Sequence, residues 1–350
     1  MKPKYKIGIW GQFGDGVNKI ADGQAVRTTI ITAETKNRYG ERNVMVANTN
    51  NWKKHPFRFL WRTFLLSARC EKIVILPADN GFKVGVPIFR FFNFFFRREM
   101  YYVVIGGFLP ALLKKKPGYV KTLKKYRALF VQTPNLKKDL EAFGLENIHI
   151  LSNLKRLNSV KSEELSLNTE KHIRLCTLSR VDESKGIAVA AEAVKMANAA
   201  LGETCITLDI FGIPAPGYRE TFERLLTEYS EIMTYGGVLD FDKTTEGLRG
   251  YFALLFPTYY YGEGFPGNVV DAYNAALPII ATDWLYNKDV ISDGVNGLLI
   301  PIKDPKALCD AILSLYNDRE KAFAIAKNNV EEAKKYTPDK VLAEFYSYMD

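Results

Sequence analysis

Histidine is scarce in this 350-residue chain, with three in all, and the four cysteines Cys70, Cys176, Cys205 and Cys309 are scattered without a Cys-x-x-Cys pair. That pattern excludes a metal cluster held by cysteine and histidine and fits a reducing compartment, the cytoplasm. Long apolar runs are missing too: none approaches the roughly 20 residues of a membrane span. The basic start of the chain has an apolar stretch too short and too interrupted for a secretion signal. A protein neither secreted nor integral to a membrane is expected.

Nearly half of the residues are apolar, enough for two cores in a chain of this length. Net charge is +9 but unevenly spread. Residues 1–160 hold 29 Lys and Arg against 10 Asp and Glu, an excess of +19, whereas residues 161–350 hold 19 against 29, or −10. Such opposition points to a polyanionic surface facing the first half, either membrane lipid or nucleic acid.

Apolar runs alternate with helical patterns in both halves. Residues 5–10, 43–47, 72–76, 101–105, 128–131 and 148–151 read as buried parallel strands, and so do 173–178, 206–211, 232–235, 254–257, 279–281 and 297–300. The polar stretch 158–172 between the two sets lacks periodicity and reads as a linker. This rhythm is α/β, two doubly wound domains.

Chemistry concentrates between Tyr259 and Trp284. Glu263 stands between Gly262 and Gly264, just before a helix expected to begin at Pro266, and Asp271 follows eight residues later in the same helix. Gly264 and Gly267 let the backbone approach a ligand, and the N–H groups of Gly267, Asn268 and Val269 form an anion site at the helix mouth. Carboxylates that accept from hydroxyls beside N–H groups that donate to phosphate suit a sugar nucleotide. An ordinary loop–helix junction carrying an exposed acid is the plain alternative. Upstream, Arg180 leaves a strand end and Lys185 precedes a helix, so both are expected as exposed cations at the carboxyl edge of the second sheet.

The Glu263 to Asp271 spacing resembles the Glu-x7-Glu motif of glycosyltransferase family 4, with Asp in place of the second Glu. The run Leu277-Pro-Ile-Ile-Ala281 resembles that family's next strand. Residues 178–186 resemble its Gly-Arg-x5-Lys-Gly segment, with Ser179 for Gly and a spacer one residue shorter, and residues 101–153 are similar to the end of its acceptor domain. The resemblance implies the GT-B fold, two Rossmann-like domains facing across a cleft. It divides the chain into an acceptor-binding domain 1–160, a linker 161–172, a nucleotide-sugar domain 173–335 and a terminal helix 336–350 crossing back. It also implies a retaining transfer of a hexosyl unit, UDP-linked in the donor, to a polyprenyl-linked saccharide of bacterial capsule or O-antigen synthesis, with no metal or other cofactor. Arg180, Lys185 and Glu263 would be catalytic. Gly264, Phe265, Pro266, Gly267, Asn268 and Asp271 would bind the donor, Asp271 through the ribose. Gly14, Asp15 and Gly16 of the first glycine-rich loop would approach the diphosphate. A nucleotide-sugar 2-epimerase of the same fold would need more acids or histidines, and a non-catalytic basic binding protein leaves Arg180, Lys185 and Glu263 unexplained.

Three segments, 53–69, 83–98 and 114–127, carry most of the positive charge, and the first two interleave it with aromatic rings. Phe89, Phe91, Phe92, Phe94, Phe95 and Phe96 cover more than one helix face, so some rings must look outward, with Arg90, Arg97 and Arg98 beside them. Aromatic and basic residues together mark helices that lie on anionic bilayers. The expectation is peripheral attachment to the inner face of the cytoplasmic membrane. Single-stranded nucleic acid would use the same ingredients, but no motif for it is present, and a core helix with a solvated edge is the bland reading. Asp240-Phe-Asp242 mimics a metal-binding Asp-x-Asp, yet Asp242 is better placed as a helix cap.

Overall fold

A computed structural model describes residues 3–13 and 23–350. The chain divides into two units, one of Met1–Lys155 with Thr337–Asp350 and one of Arg156–Tyr336. Each is built on one parallel sheet of six strands.

In the first unit the strands are β1 (Tyr5–Gly11), β2 (Val44–Asn48), β3 (Cys70–Leu76), β4 (Glu99–Val103), β5 (Ala128–Val131) and β6 (Ile148–Ile150). Their order across the sheet is β2-β1-β3-β4-β5-β6. All twelve expected strands of the chain are present, their ends within two residues of expectation, because a parallel strand buried on both faces must be a continuous apolar run. Thr133 caps the Pro134–Glu141 helix by accepting from the Leu136 N–H at 3.3 Å, and Gly144 ends that segment with φ 73°. The Pro338–Ser347 helix belongs to this unit. Its Phe345 ring sits 5.0 Å from Phe130 of β5, and the Tyr101 hydroxyl donates to the Tyr348 carbonyl at 2.9 Å.

The second sheet has the strands β7 (Ile173–Leu178), β8 (Ile206–Phe211), β9 (Met233–Gly237), β10 (Ala253–Phe256), β11 (Ile279–Thr282) and β12 (Leu298–Ile300), in the order β12-β11-β10-β7-β8-β9. The chain builds outward from β7 in one direction, then returns to lay β10 on the other side. β7 and β10 are therefore neighbours with parallel carboxyl ends, and the strand order reverses between them. The register slips between Ile210 and Phe211, where a side chain on Gly236 would meet the Phe211 ring at 2.3 Å. Residues 158–165, read from sequence as part of a linker, lie against this unit. Val160 donates to the Asn274 carbonyl at 2.8 Å and packs on Ala276 and Val330, and Glu164 pairs with Arg249 at 3.1 Å.

Candidate active site

The reversal between β7 and β10 brings together the loops that follow them, residues 179–186 and 257–266. Their backbones touch. The Tyr259 N–H donates to the Ser184 carbonyl at 2.8 Å, and a Cβ on Gly186, whose φ is 71°, would lie 2.3 Å from the Pro257 carbonyl oxygen. Only glycine permits both that φ and that approach. From β11, the Thr282 hydroxyl donates to the Thr258 carbonyl at 2.5 Å, and Trp284 Nε1 donates to the Tyr260 carbonyl at 2.8 Å.

Within this frame Lys185 Nζ lies 2.5 Å from Glu263 Oε2, and the Thr258 hydroxyl donates to the same oxygen at 2.9 Å. Both charged side chains are about nine-tenths buried, 11% and 10% exposed. The expectation of an exposed lysine is corrected here: Lys185 is shielded because its turn, Glu183–Lys185, tucks under the Glu263 loop. Arg180 is exposed, with Nε 2.7 Å from Asp182 Oδ2. Asp182 also caps the turn, its Oδ1 accepting from the Ser184 N–H at 3.0 Å. Burial pushes the Asp182 carboxyl up, but the hydrogen bond from Ser184 and then Arg180 outweigh it and hold the acid below its usual value. The Tyr260 ring is shared by both cations, Lys185 Nζ 4.8 Å and Arg180 Cζ 5.8 Å from its centroid. Sequence reading missed Thr258, Tyr260 and Asp182, although Tyr260 stands in the run Tyr259-Tyr-Tyr261 and Asp182 within 178–186.

At the helix mouth the structure changes several details. Pro266 is the cap, in extended conformation, and the helix runs Gly267–Asn274. The Val269 N–H is occupied by the Pro266 carbonyl at 3.3 Å, so the first-turn N–H groups of Gly267 and Asn268 remain for a ligand. Asn268 Nδ2 donates to the Leu178 carbonyl at 2.8 Å, while its buried Oδ1 has no partner among the described residues. The Phe265 ring, expected at the donor, is turned into the core, 5.0 Å from Tyr336, and so anchors the loop. Asp271 is buried and accepts from the Thr244 hydroxyl at 2.6 Å. Lys243, not Asp242, occupies the cap position of the Thr244–Leu248 helix. Among the described residues no three His, Cys, Asp or Glu side chains gather in one place. Gly14, Asp15 and Gly16 lie outside the described residues.

In the first unit, the helices Pro56–Arg69 and Asp79–Phe96 present a face of bare rings. Phe57 is 87% and Phe94 77% exposed, and Trp61, Phe91 and Phe95 are exposed as well. Phe64 knits the two helices, 5.5 Å from Trp61, 5.6 Å from Phe92 and 5.7 Å from Phe96. Phe89, expected in the ring cluster, is buried against Trp10 at 5.5 Å. Arg98 donates to the Ser67 and Ala68 carbonyls at 3.1 and 2.9 Å, so it ties the helices together instead of facing outward. No helix among the described residues is long and apolar enough to cross a membrane.

Residues 172–318 match the family described as Glycosyl transferases group 1. A stretch of 104 residues, 30% of this chain, is 31% identical to 29% of the uncharacterized glycosyltransferase MJ1178 of Methanocaldococcus jannaschii. Another of 92 residues, 25% of this chain, is 34% identical to 24% of EpsD of Bacillus subtilis, which is also named as a glycosyltransferase. The matched stretches thus span under a third of those relatives. Alr3699/HepE of Anabaena, solved in complex with UDP and glucose, superposes over 98% of both chains with a TM-score of 0.76 at 13% identity. Sucrose-phosphate synthase of Thermosynechococcus elongatus does so over 98% of both chains with a TM-score of 0.76 at 14% identity. Likeness at that identity speaks for the fold. Residues 172–318 thus match a glycosyl transferases group 1 domain, within a chain that has the GT-B fold.

Proposed function

We propose that this chain is a retaining glycosyltransferase of family 4 that moves a hexosyl unit from a UDP-sugar to a lipid-linked saccharide in bacterial capsule or O-antigen synthesis. The observation that carries the reading is the meeting of Lys185, Glu263 and Arg180 around Tyr260 at the strand-order reversal. A departing nucleoside diphosphate gathers negative charge, and Arg180, Lys185 and the N–H groups of Gly267 and Asn268 are preorganised donors for it without a metal. Glu263 is fixed through Oε2 and accepts from the sugar hydroxyls, while Asp271 takes the ribose. The backbone of Gly264 permits close approach. UDP as the carrier is supported by the nucleotide in the Anabaena protein of like fold.

The acceptor reaches the enzyme at the cytoplasmic membrane surface, where the exposed rings of Phe57, Trp61, Phe91, Phe94 and Phe95 lie among the cations of a half carrying +19. A mass-spectrometric screen of nucleotide sugars, with and without EDTA, tests the reading. Hydrolysis or transfer of one UDP-sugar that survives EDTA is expected. A strict divalent-metal requirement would bring Asp240 and Asp242 back as ligands, and product formed from the donor alone by epimerisation would replace the transferase.

A further inference from the structure

In the first unit, a cavity of about 250 Å³ opens beside the carboxyl ends of β1 and β2. Its rim is the loop that the Thr49 N–H ties to the Gly11 carbonyl at 2.9 Å, shaped by Asn48 Oδ1 accepting from the Phe13 and Asn50 N–H groups at 3.3 and 2.8 Å. Trp52, tilted on buried Phe59 at 5.6 Å, lines it together with His55, Arg58 and Arg62. Arg58 and Arg62 stand one turn apart on the Pro56–Arg69 helix, and neither has an acidic partner among the described residues. Residues 42–70 contain no Asp or Glu at all. Two like charges on one helix face repel unless an anion lies between them. Guanidinium forks match the paired oxygens of a phosphate group.

The apolar side of the same helix begins at once: Phe57 precedes Arg58 and Trp61 precedes Arg62, both rings exposed. A cationic cavity of headgroup size bordered by bare aromatic rings fits an amphiphile with a phosphorylated polar end and a hydrocarbon tail. We infer that this cavity holds the diphosphate of a lipid-linked saccharide acceptor, with Arg58 and Arg62 as its ligands and Phe57 and Trp61 against the first part of the tail. The inference rests on the transferase reading above and names the acceptor end of that reaction.

The test is calorimetric titration of the full chain, with UDP present at saturation so that phosphate cannot report from the donor loops. The probes are farnesyl diphosphate, inorganic pyrophosphate and farnesol. Farnesyl diphosphate is expected to bind most tightly, pyrophosphate more weakly and farnesol least. R58Q/R62Q, or exposed R58Q alone if the pair unfolds, is expected to weaken both phosphates, the double variant by about tenfold or more, while leaving UDP affinity unchanged. Equal affinity of wild type and variant for both phosphates overturns the cavity as the site. Equal affinity for pyrophosphate and farnesyl diphosphate overturns the lipid-linked ligand in favour of a free phosphate compound. Absence of UDP binding to the wild type would count against the donor reading alone, because the arginine dependence is read separately.

Discussion

Lys185 Nζ and Glu263 Oε2 meet at 2.5 Å across 78 positions of sequence, from loops that end two adjacent parallel strands, and both side chains are largely shielded from water. Arg180, in the same loop as Lys185, is 56% exposed. The difference separates two substitutions that the sequence treats alike.

Lys185→Ala strands a buried carboxylate and is expected to cost about 3 kcal/mol of stability, whereas Arg180→Ala at an exposed site costs under about 1 kcal/mol. Both should lower turnover by on the order of a hundredfold, the effect of losing one preorganised partner of a leaving group. Denaturant unfolding beside donor turnover checks this. Lys185→Ala combined with Glu263→Gln should recover most of the stability and none of the activity. Wild-type turnover in Arg180→Ala and Lys185→Ala would remove the phosphate assignment.

Glu263→Gln keeps the size of the side chain but weakens its acceptance from hydroxyls, so transfer should fall steeply while UDP still binds. Asp271→Asn should weaken UDP itself. Because Asp271 accepts from Thr244 in the interior, the variant is also expected to lose about 1–2 kcal/mol of stability. Thr244→Val serves as the comparison. Should Asp271→Asn lose stability with UDP affinity intact, the residue is a strut of the helix and not a ribose ligand.

Membrane attachment is expected to need anionic lipid and to weaken with salt. Each basic side chain near such a surface contributes about 1 kcal/mol, and screening limits its reach to about 10 Å at 0.1 M salt. Sedimentation with phosphatidylglycerol and phosphatidylcholine vesicles should show binding to the first alone. A variant with Phe57, Trp61, Phe94 and Phe95 as Ser and Arg90 and Arg97 as Gln should stay in solution. Phe96 and Arg98 are kept, since one packs on Phe64 and the other holds two carbonyls. Equal binding to both lipids would sink the idea, and loss of RNA binding with vesicle binding intact would favour nucleic acid.

Acid should loosen the first unit through His149. Burial lowers its pKa from 6.5, with Glu344 at 3.8 Å opposing and Lys137 adding to the shift, and the ring lies 4.0 Å from Tyr348. The folded pKa is depressed, so the unfolded chain takes the proton first. The contribution is therefore complete above pH 6.5 and fades as pH falls through the lower folded value. Comparing unfolding at pH 7.5 and 5.5 in wild type and His149→Gln should show a smaller loss on acidification in the variant. Equal losses would assign the acid sensitivity elsewhere.

Both parallel sheets were legible strand by strand, because strands covered on two faces carry unbroken apolar runs such as 128–131 and 279–281. Glu263 was legible too, since glycines before a helix start leave a recognisable pattern. The resemblance put Arg180, Lys185 and Glu263 in one site, but the chain alone could not decide which atoms of the two loops touch. The pairing of β10 with β7, strands separated by two others in sequence, puts Thr258 and Lys185 on one oxygen of Glu263 and sets Tyr260 beside two cations. Direction within a loop was equally hidden. Phe265 and Asn268 stand three positions apart in one motif, yet the ring faces Tyr336 in the core and the amide reaches the end of β7. Composition supplied the cations and rings of residues 53–98. Packing around Phe64 and Trp10 then determined that Phe89 is core, that Arg98 is a brace, and that Phe94 meets the solvent, because a helix shows its outer face only once its neighbours have taken the inner one.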